Sequence, residues 1–119
     1  MKPKILTKRI YLDPSPEDGY RILIDRLWPR GVSKERAKLD WWGKELAPST
    51  SLREWYHHAP ELRKEFAEKY LLELDKNPAK PEWRELLKKQ EVVTLLYATK
   101  DPALSQATVL KGFLEDLAR

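Results

Sequence analysis

Residues 91–99 read EVVTLLYAT, a nearly continuous apolar run rich in β-branched residues, and it leads into Lys100-Asp101-Pro102. A run this short and this β-branched reads as a strand, and its lack of alternation means that both faces are buried. Such strands lie at the centre of sheets, usually parallel ones, because helices must cover each side. The rest of the chain then has to supply neighbouring strands and covering helices. Upstream, KILTKRIYL (4–12) reads as a strand. YRILIDRL (20–27) reads as another, with Tyr20, Ile22 and Ile24 on one face and Arg21, Leu23 and Asp25 on the other. DPSPEDG (13–19) is a turn-rich separator, and WPRG (28–31) stops the second strand.

Ser33 is placed to cap a short helix over 33–39, whereas DWWGKELAP (40–48) fits no single element. Ser49 or Thr50 caps a short helix through 52–57. Pro60 suits the first residue of a longer helix that carries Leu62, Phe66, Tyr70 and Leu74 along one stripe and stops before Pro78. PEWRELLKKQ (81–90) also opens on a proline and buries Trp83, Leu86 and Leu87. After the buried strand, Asp101 as N-cap and Pro102 as first residue open a C-terminal helix with Leu110, Phe113, Leu114 and Leu117 as its core stripe. The order implies an α/β fold: one small layered domain over residues 1–119, with a mostly parallel sheet and about four to five helices. Ligands of such sheets bind beyond the carboxyl ends of the strands. Two segments fall there, DRLWPRG (25–31) and TKDP (99–102).

The chain has 119 residues, 41% of them hydrophobic and 35% charged, which suits one ordinary core. No run reaches the roughly 20 apolar residues of a membrane span, and the N-terminus has no signal-peptide core. There is no cysteine, which excludes a disulfide scaffold, a thiolate metal site and a cysteine nucleophile; a cytoplasmic location is the expectation. The net charge of +4 lies wholly in residues 1–60, with 12 basic and 8 acidic residues against 11 and 11 in the remainder. A basic half favours phosphate, carboxylate or nucleic acid as partner, although +4 is also ordinary solubility charge.

DRLWPRG sets Arg26 and Arg30 around Trp28, with Pro29 and Gly31 shaping the turn. Guanidinium forks match carboxylates and phosphates, and an arginine can stack on indole. The bland alternative pairs Arg26 with Asp40 or Glu45 and lets Trp28 simply pack. Lys100 and Asp101 lie between the buried strand and a helix start, where backbone N–H groups attract anions; alone, they read as a plain cap. Asp25, at a strand end among apolar residues, is the candidate general base. Orienting Arg26, Arg30 or Lys100 is its favoured role, the cations holding it ionised. Ser49, Thr50 and Ser51 read first as helix caps. His57 and His58, adjacent on a helix, do not face one metal, so no metal is expected, and a helix C-terminal role is the simpler one. No cofactor motif and no nucleophile elbow occur. Of the five tryptophans, Trp41 and Trp42 are adjacent and point to different sides, leaving one exposed to stack a ring; core packing is the plainer use.

LIDRLWPRG (23–31), LDWWGKELAPS (39–49), LREWYHHAPE (52–61) and LLYATKD (95–101) together resemble the domain-of-unknown-function 488 family, in its YeaO-like branch. The resemblance covers the chain from about residue 5 to the end. It implies an α/β domain of small bacterial proteins whose recurring polar positions fall on Asp25, Arg26, Arg30, Lys44, Ser49, Lys100 and Asp101. Related branches carry a Cys-His-Arg cluster after the last strand, with a suggested role in nucleic-acid base modification. Ser105-Gln106-Ala107 stands there in this chain, so chemistry needing that thiol or imidazole is missing. The YeaO-like branch implies Asn-Gln-Ala at this place; Ser105 departs from it and Gln106 carries over. WWGKE is a second departure from an implied Trp-Leu-Lys-Glu, with Gly43 expected to loosen the segment.

Three readings follow, in this order. The first is a site for an anionic small molecule or nucleotide, enzymatic or not, formed by Asp25, Arg26, Arg30 and Lys100, with Trp28, Lys44, Ser49, Asp101 and Gln106 as further ligand-binding candidates. The second is a nucleic-acid binding or base-modification module using the basic half and stacked tryptophans. The third is a non-catalytic interaction domain in which Asp25, Arg26, Arg30 and Asp40 or Glu45 pair internally and leave no open pocket.

Overall fold

The run at 91–99 forms β4 (Val92–Tyr97), with β1 (Lys4–Arg9) on one side and β2 (Tyr20–Leu23) on the other. β3 (Trp41–Trp42) extends the sheet beyond β2, giving the order β1-β4-β2-β3 with every pair parallel. This computed structural model describes residues 2–102 and 105–119. Among the described residues, five α-helices accompany the sheet: α1 (Lys34–Ala37), α2 (Thr50–Tyr56), α3 (Arg63–Asp75), α4 (Lys80–Lys88) and α5 (Ala107–Leu117). The small α/β fold and its parallel sheet are therefore those expected.

The alternation of β2 and β4 sorts the core into two halves. Ile22, Ile24, Val93, Leu95 and Tyr97 pack under α2, α3, α4 and α5, against Tyr56, Phe66, Tyr70, Trp83 and Leu110 among others. Leu23 and Leu96 face the other way, onto Ile10, Val32 and Ala37 of the α1 layer. Each such fully buried Leu or Ile contributes about 2 kcal/mol through removal from water. Thr94 is the polar residue inside the buried run; its hydroxyl donates to the carbonyl of Asp18 at 2.6 Å. Asp18 in turn binds Arg21 at 2.5 Å and Lys8 at 3.1 Å, a buried ionic cluster on the α1 side of the sheet. Gly19 makes this approach feasible: its φ is +63°, and a Cβ there would stand 2.4 Å from the carbonyl oxygen of Val92.

Several boundaries differ from the sequence reading, for local reasons. The strand expected over 20–27 ends at Leu23. Ile24 still donates to Leu96, but the carboxylate of Asp25 then accepts the Ala98 N–H at 2.9 Å in place of a strand carbonyl, and the ladder stops. β1 ends at Arg9 because Leu12 turns back onto the Arg9 carbonyl. The unassigned stretch 40–48 supplies β3 and a 3-10 turn at Lys44–Leu46. Gly43 does not loosen it: its N–H donates to Leu23 at 2.8 Å, and a Cβ would press on Leu46 and Ile22. Trp41 and Trp42 do pack onto opposite halves of the core, but both are half-buried and neither is exposed.

The C-terminal helix begins at Ala107 rather than at Pro102, and residues 103 and 104 of the expected first turn lie outside the described residues. The Ser105 hydroxyl accepts the Ala107 N–H at 3.0 Å, so Asp101 is not the cap of α5. Ser49 rather than Thr50 caps α2, its hydroxyl accepting from Leu52. α2 stops at Tyr56, and His57 and His58 follow with left-handed φ values of 48° and 55°, so the two histidines are not side by side on a helix.

Candidate functional site

The connections after β2 and β4 leave on opposite sides of the sheet: the first leads to α1, the second to α5 on the other face. Adjacent parallel strands that diverge in this way open a crevice at their carboxyl ends. A cavity of about 260 Å³ lies there. Asp25, Arg26, Trp28 and Arg30 line it from the β2 end, and Ala98 and Thr99 from the β4 end. Gln106 lines it just before α5, while Arg53 and Tyr56 of α2, His58 beyond it and Phe66 of α3 close it.

Asp25 is held from two elements. Ala98 N–H donates to one carboxylate oxygen at 2.9 Å and the Gln106 Nε2 to the other at 2.8 Å. The same Nε2 donates to the Ile24 carbonyl at 3.1 Å, which fixes the amide of Gln106. Burial pushes the Asp25 carboxyl above the usual carboxylate range, while the bonds from Gln106 and Ala98 and the charges of His58 and Arg53 pull the other way. Its partners are thus an amide and a backbone N–H, not the arginines or Lys100 that its favoured sequence role invoked.

Arg26 does not pair with Asp40 or Glu45. Its Nε and one terminal nitrogen donate to the carbonyls of Pro48 and Ala47 at 3.2 and 3.3 Å, which clamps the guanidinium at the cavity wall while leaving its charge uncompensated by these bonds. Asp40 instead accepts the backbone N–H of Arg21 at 2.8 Å. No ion pair of Arg26 or Arg30 occurs among the described residues, and the cavity is open, so the internal salt-bridge arrangement is not the one adopted. Trp28 carries no stacked arginine. It donates to the Val32 carbonyl at 2.6 Å and meets Trp42 edge-on at 5.2 Å, which stiffens the loop. Trp42 in turn donates to the Asp25 carbonyl at 2.8 Å, tying loop and strand end together.

The structure brings Asp25, Arg26, Trp28, Arg30 and Gln106 to one cavity. Lys44, Ser49, Lys100 and Asp101 are not among its lining residues. Lys44 lies over the Trp42 ring at 3.9 Å, and Ser49, besides capping α2, donates to Glu73 at 2.6 Å. Lys100 and Asp101 are exposed beyond β4. The lining residues not singled out as site residues include Arg53, Tyr56, His58 and Phe66. Phe66 is legible only as one residue of a core stripe, and Arg53 only as a charge on a short helix. The signal they do leave is the stretch LREWYHHAPE, to which three of them belong.

Fold and site define a small α/β domain with an all-parallel sheet and an arginine-lined cavity beyond its strand ends. The chain belongs to the domain-of-unknown-function 488 family: the family model described as "Inactive DUF488-N3 subclade" matches residues 4–119. It is 41% identical over 113 residues to the uncharacterized protein YeaO of Escherichia coli (strain K12), a match covering 95% of this chain and 98% of that protein. An uncharacterized protein of Mycobacterium tuberculosis (strain ATCC 25618 / H37Rv) is 44% identical over 111 residues, 93% of each chain. These relatives bear out the YeaO-like resemblance. No solved structure matches the chain. Among the described residues, no helix is long and apolar enough to cross a membrane, and no cluster of acidic or histidine side chains is suited to a metal ion.

Proposed function

We propose that this protein binds an anionic small molecule or nucleotide in the cavity beyond β2 and β4. The observation that carries the reading is that Arg26, Arg30 and Arg53 line one cavity that holds a single acidic residue, Asp25. Walls that exclude water strengthen the attraction of such a cluster for an anion. Arg26 and Arg30 come from one rigid loop and Arg53 from α2, so the cations reach the ligand from two elements. The matching subclade is described as inactive, and Ser105-Gln106-Ala107 offers neither thiol nor imidazole; both favour binding over turnover.

The test is thermal denaturation with inorganic phosphate, citrate, ribose 5-phosphate, nucleoside monophosphates and a short single-stranded oligonucleotide, each at two salt concentrations. A ligand present at 100 times its Kd adds about 2.7 kcal/mol, or about 10 °C for a chain of this size. The expected result is such a shift with a small anion, lost in Arg26→Ala while the unliganded melting temperature falls by only about 4 °C for the lost carbonyl bonds. Shifts confined to the oligonucleotide at low salt would replace this reading by nucleic-acid binding. An absence of any shift would leave a non-catalytic interaction domain.

A further inference from the structure

Three features of the cavity bear on which anion it would select. First, the Nε of Arg53 is buried and has no hydrogen-bond partner among the described residues. That atom is closed off from the cavity, and the Arg63 Nη1 and Trp83 Nε1 elsewhere are equally unbonded; what bears on the ligand is that Arg53 lines the wall with Arg26, so an anion there is drawn to both charges. Second, much of the remaining wall is apolar or aromatic: Leu27, Trp28, Pro48, Tyr56 and Phe66. At about 260 Å³ the space falls just short of the ~300–1,000 Å³ typical of sites for drug-sized molecules, and suits one ring with its substituents. Third, Asp25 is the one acidic group in the lining, and each of its oxygens already accepts an N–H. Each oxygen keeps a further lone pair, so the ionised Asp25 offers acceptors to the cavity. An anion placed directly against it is repelled, whereas an N–H or O–H is bound.

We infer that the ligand is a one-ring aromatic or heteroaromatic acid that also carries a hydrogen-bond donor away from its anionic group, with the anion between Arg26 and Arg53 and the donor against Asp25. The inference rests on the anion-binding reading and narrows it. Arg53 becomes a binding residue as direct as Arg26, and Asp25 becomes the residue that sets specificity. Gln106 is a positioning residue: by donating to both the Ile24 carbonyl and Asp25 it fixes which lone pairs remain for the ligand.

Matched pairs of acids, titrated into the full chain and followed by calorimetry or amide NMR shifts, test this. One pair is 4-hydroxybenzoate and 4-methoxybenzoate; the other is 4-hydroxyphenyl phosphate and 4-methoxyphenyl phosphate. Each second member keeps the anion and ring but lacks the donor. The donor-bearing member is expected to bind about tenfold more tightly, because it alone adds a hydrogen bond to a charged acceptor. Arg53→Gln should weaken both members of a pair by about tenfold alike. Asp25→Asn should shrink the difference within a pair to less than about threefold. The comparison within the unaltered protein keeps the inference falsifiable even if Asp25→Asn does not fold. Equal affinity within every pair that binds, or binding that needs Arg26 but is indifferent to Arg53→Gln, overturns this inference and leaves the anion-binding reading intact. If no acid binds, inorganic phosphate included, both fall.

Discussion

Replacing Gln106 by leucine keeps the volume of the side chain and removes only its polar atoms, so it isolates what holds the strand ends together. Two hydrogen bonds disappear: one of 3.1 Å to the Ile24 carbonyl and one of 2.8 Å to the Asp25 carboxylate. A neutral bond whose loss strands a buried carbonyl contributes about 1 kcal/mol, and a bond to a charged group about 1.5–3 kcal/mol, so the expected loss is about 3 kcal/mol. With an unfolding entropy of about 2.1 cal/mol/K per residue, that lowers the melting temperature by about 12 °C. The loss depends on pH with a defined sign. Burial already raises the folded-state pKa of Asp25 above its ordinary value of 3.8, so the folded chain holds a proton that the unfolded chain releases, and stability falls as pH rises through that window. Gln106→Leu removes a donor that favours the charged form and lifts the folded-state pKa further. The loss should therefore be larger at pH 7 than at about pH 3, which lies below the ordinary value of 3.8 and so below the raised folded value, where the carboxyl is protonated and the charge-assisted part of the bond is gone. Scanning calorimetry of both proteins at the two pH values measures this. A fall of less than about 4 °C, or an equal fall at both pH values, refutes the reasoning.

Other perturbations address the frame around the site. Asp18→Ala removes the partner of Arg21 and Lys8, and leaving Arg21 buried without its carboxylate should cost about 3 kcal/mol, measured by urea unfolding. Burial acts to raise the Asp18 pKa, but the Ser15 N–H, Lys8 and Arg21 outweigh it and hold it below the ordinary value. Its contribution is therefore present above about pH 4 and lost as pH falls through the lowered folded value, so unfolding midpoints of the unaltered protein and Asp18→Ala should converge on acidification. Gly19→Ala sets a Cβ against the Val92 carbonyl at a positive φ and should cost about 2 kcal/mol or more in a thermal melt; an unchanged melting temperature would show that the turn can shift.

Much of the frame was legible from one dimension because the signals are local. EVVTLLYAT carries no alternation, and a strand without alternation has to be covered on both sides; its place inside an all-parallel sheet follows. The stripe of Phe66, Tyr70 and Leu74 shows its helix by period, and Ser33 and Ser49 show helix starts through side chains that reach only three residues along. The loop DRLWPRG reads as a rigid arginine-bearing turn from its own proline and glycine. These are interactions between residues near in sequence, so the sequence encodes them directly.

What remained hidden involves residues far apart. Asp25 looks as if it belongs to the arginines beside it, yet its partners are Ala98 and Gln106, more than seventy residues away, and only the parallel pairing of β2 with β4 brings them within reach. Asp101-Pro102 has the local form of a helix start, but α5 begins at Ala107. Arg53 is an ordinary charge on a seven-residue helix until α2 docks over the strand ends and hides its Nε. The sequence by itself therefore determined most of the elements, a mostly parallel sheet with the run at 91–99 buried inside it and one arginine loop, because backbone preference and hydrophobic period act locally. Only the tertiary structure decided which polar groups share the cavity, because those contacts depend on the register of strands and the docking of helices.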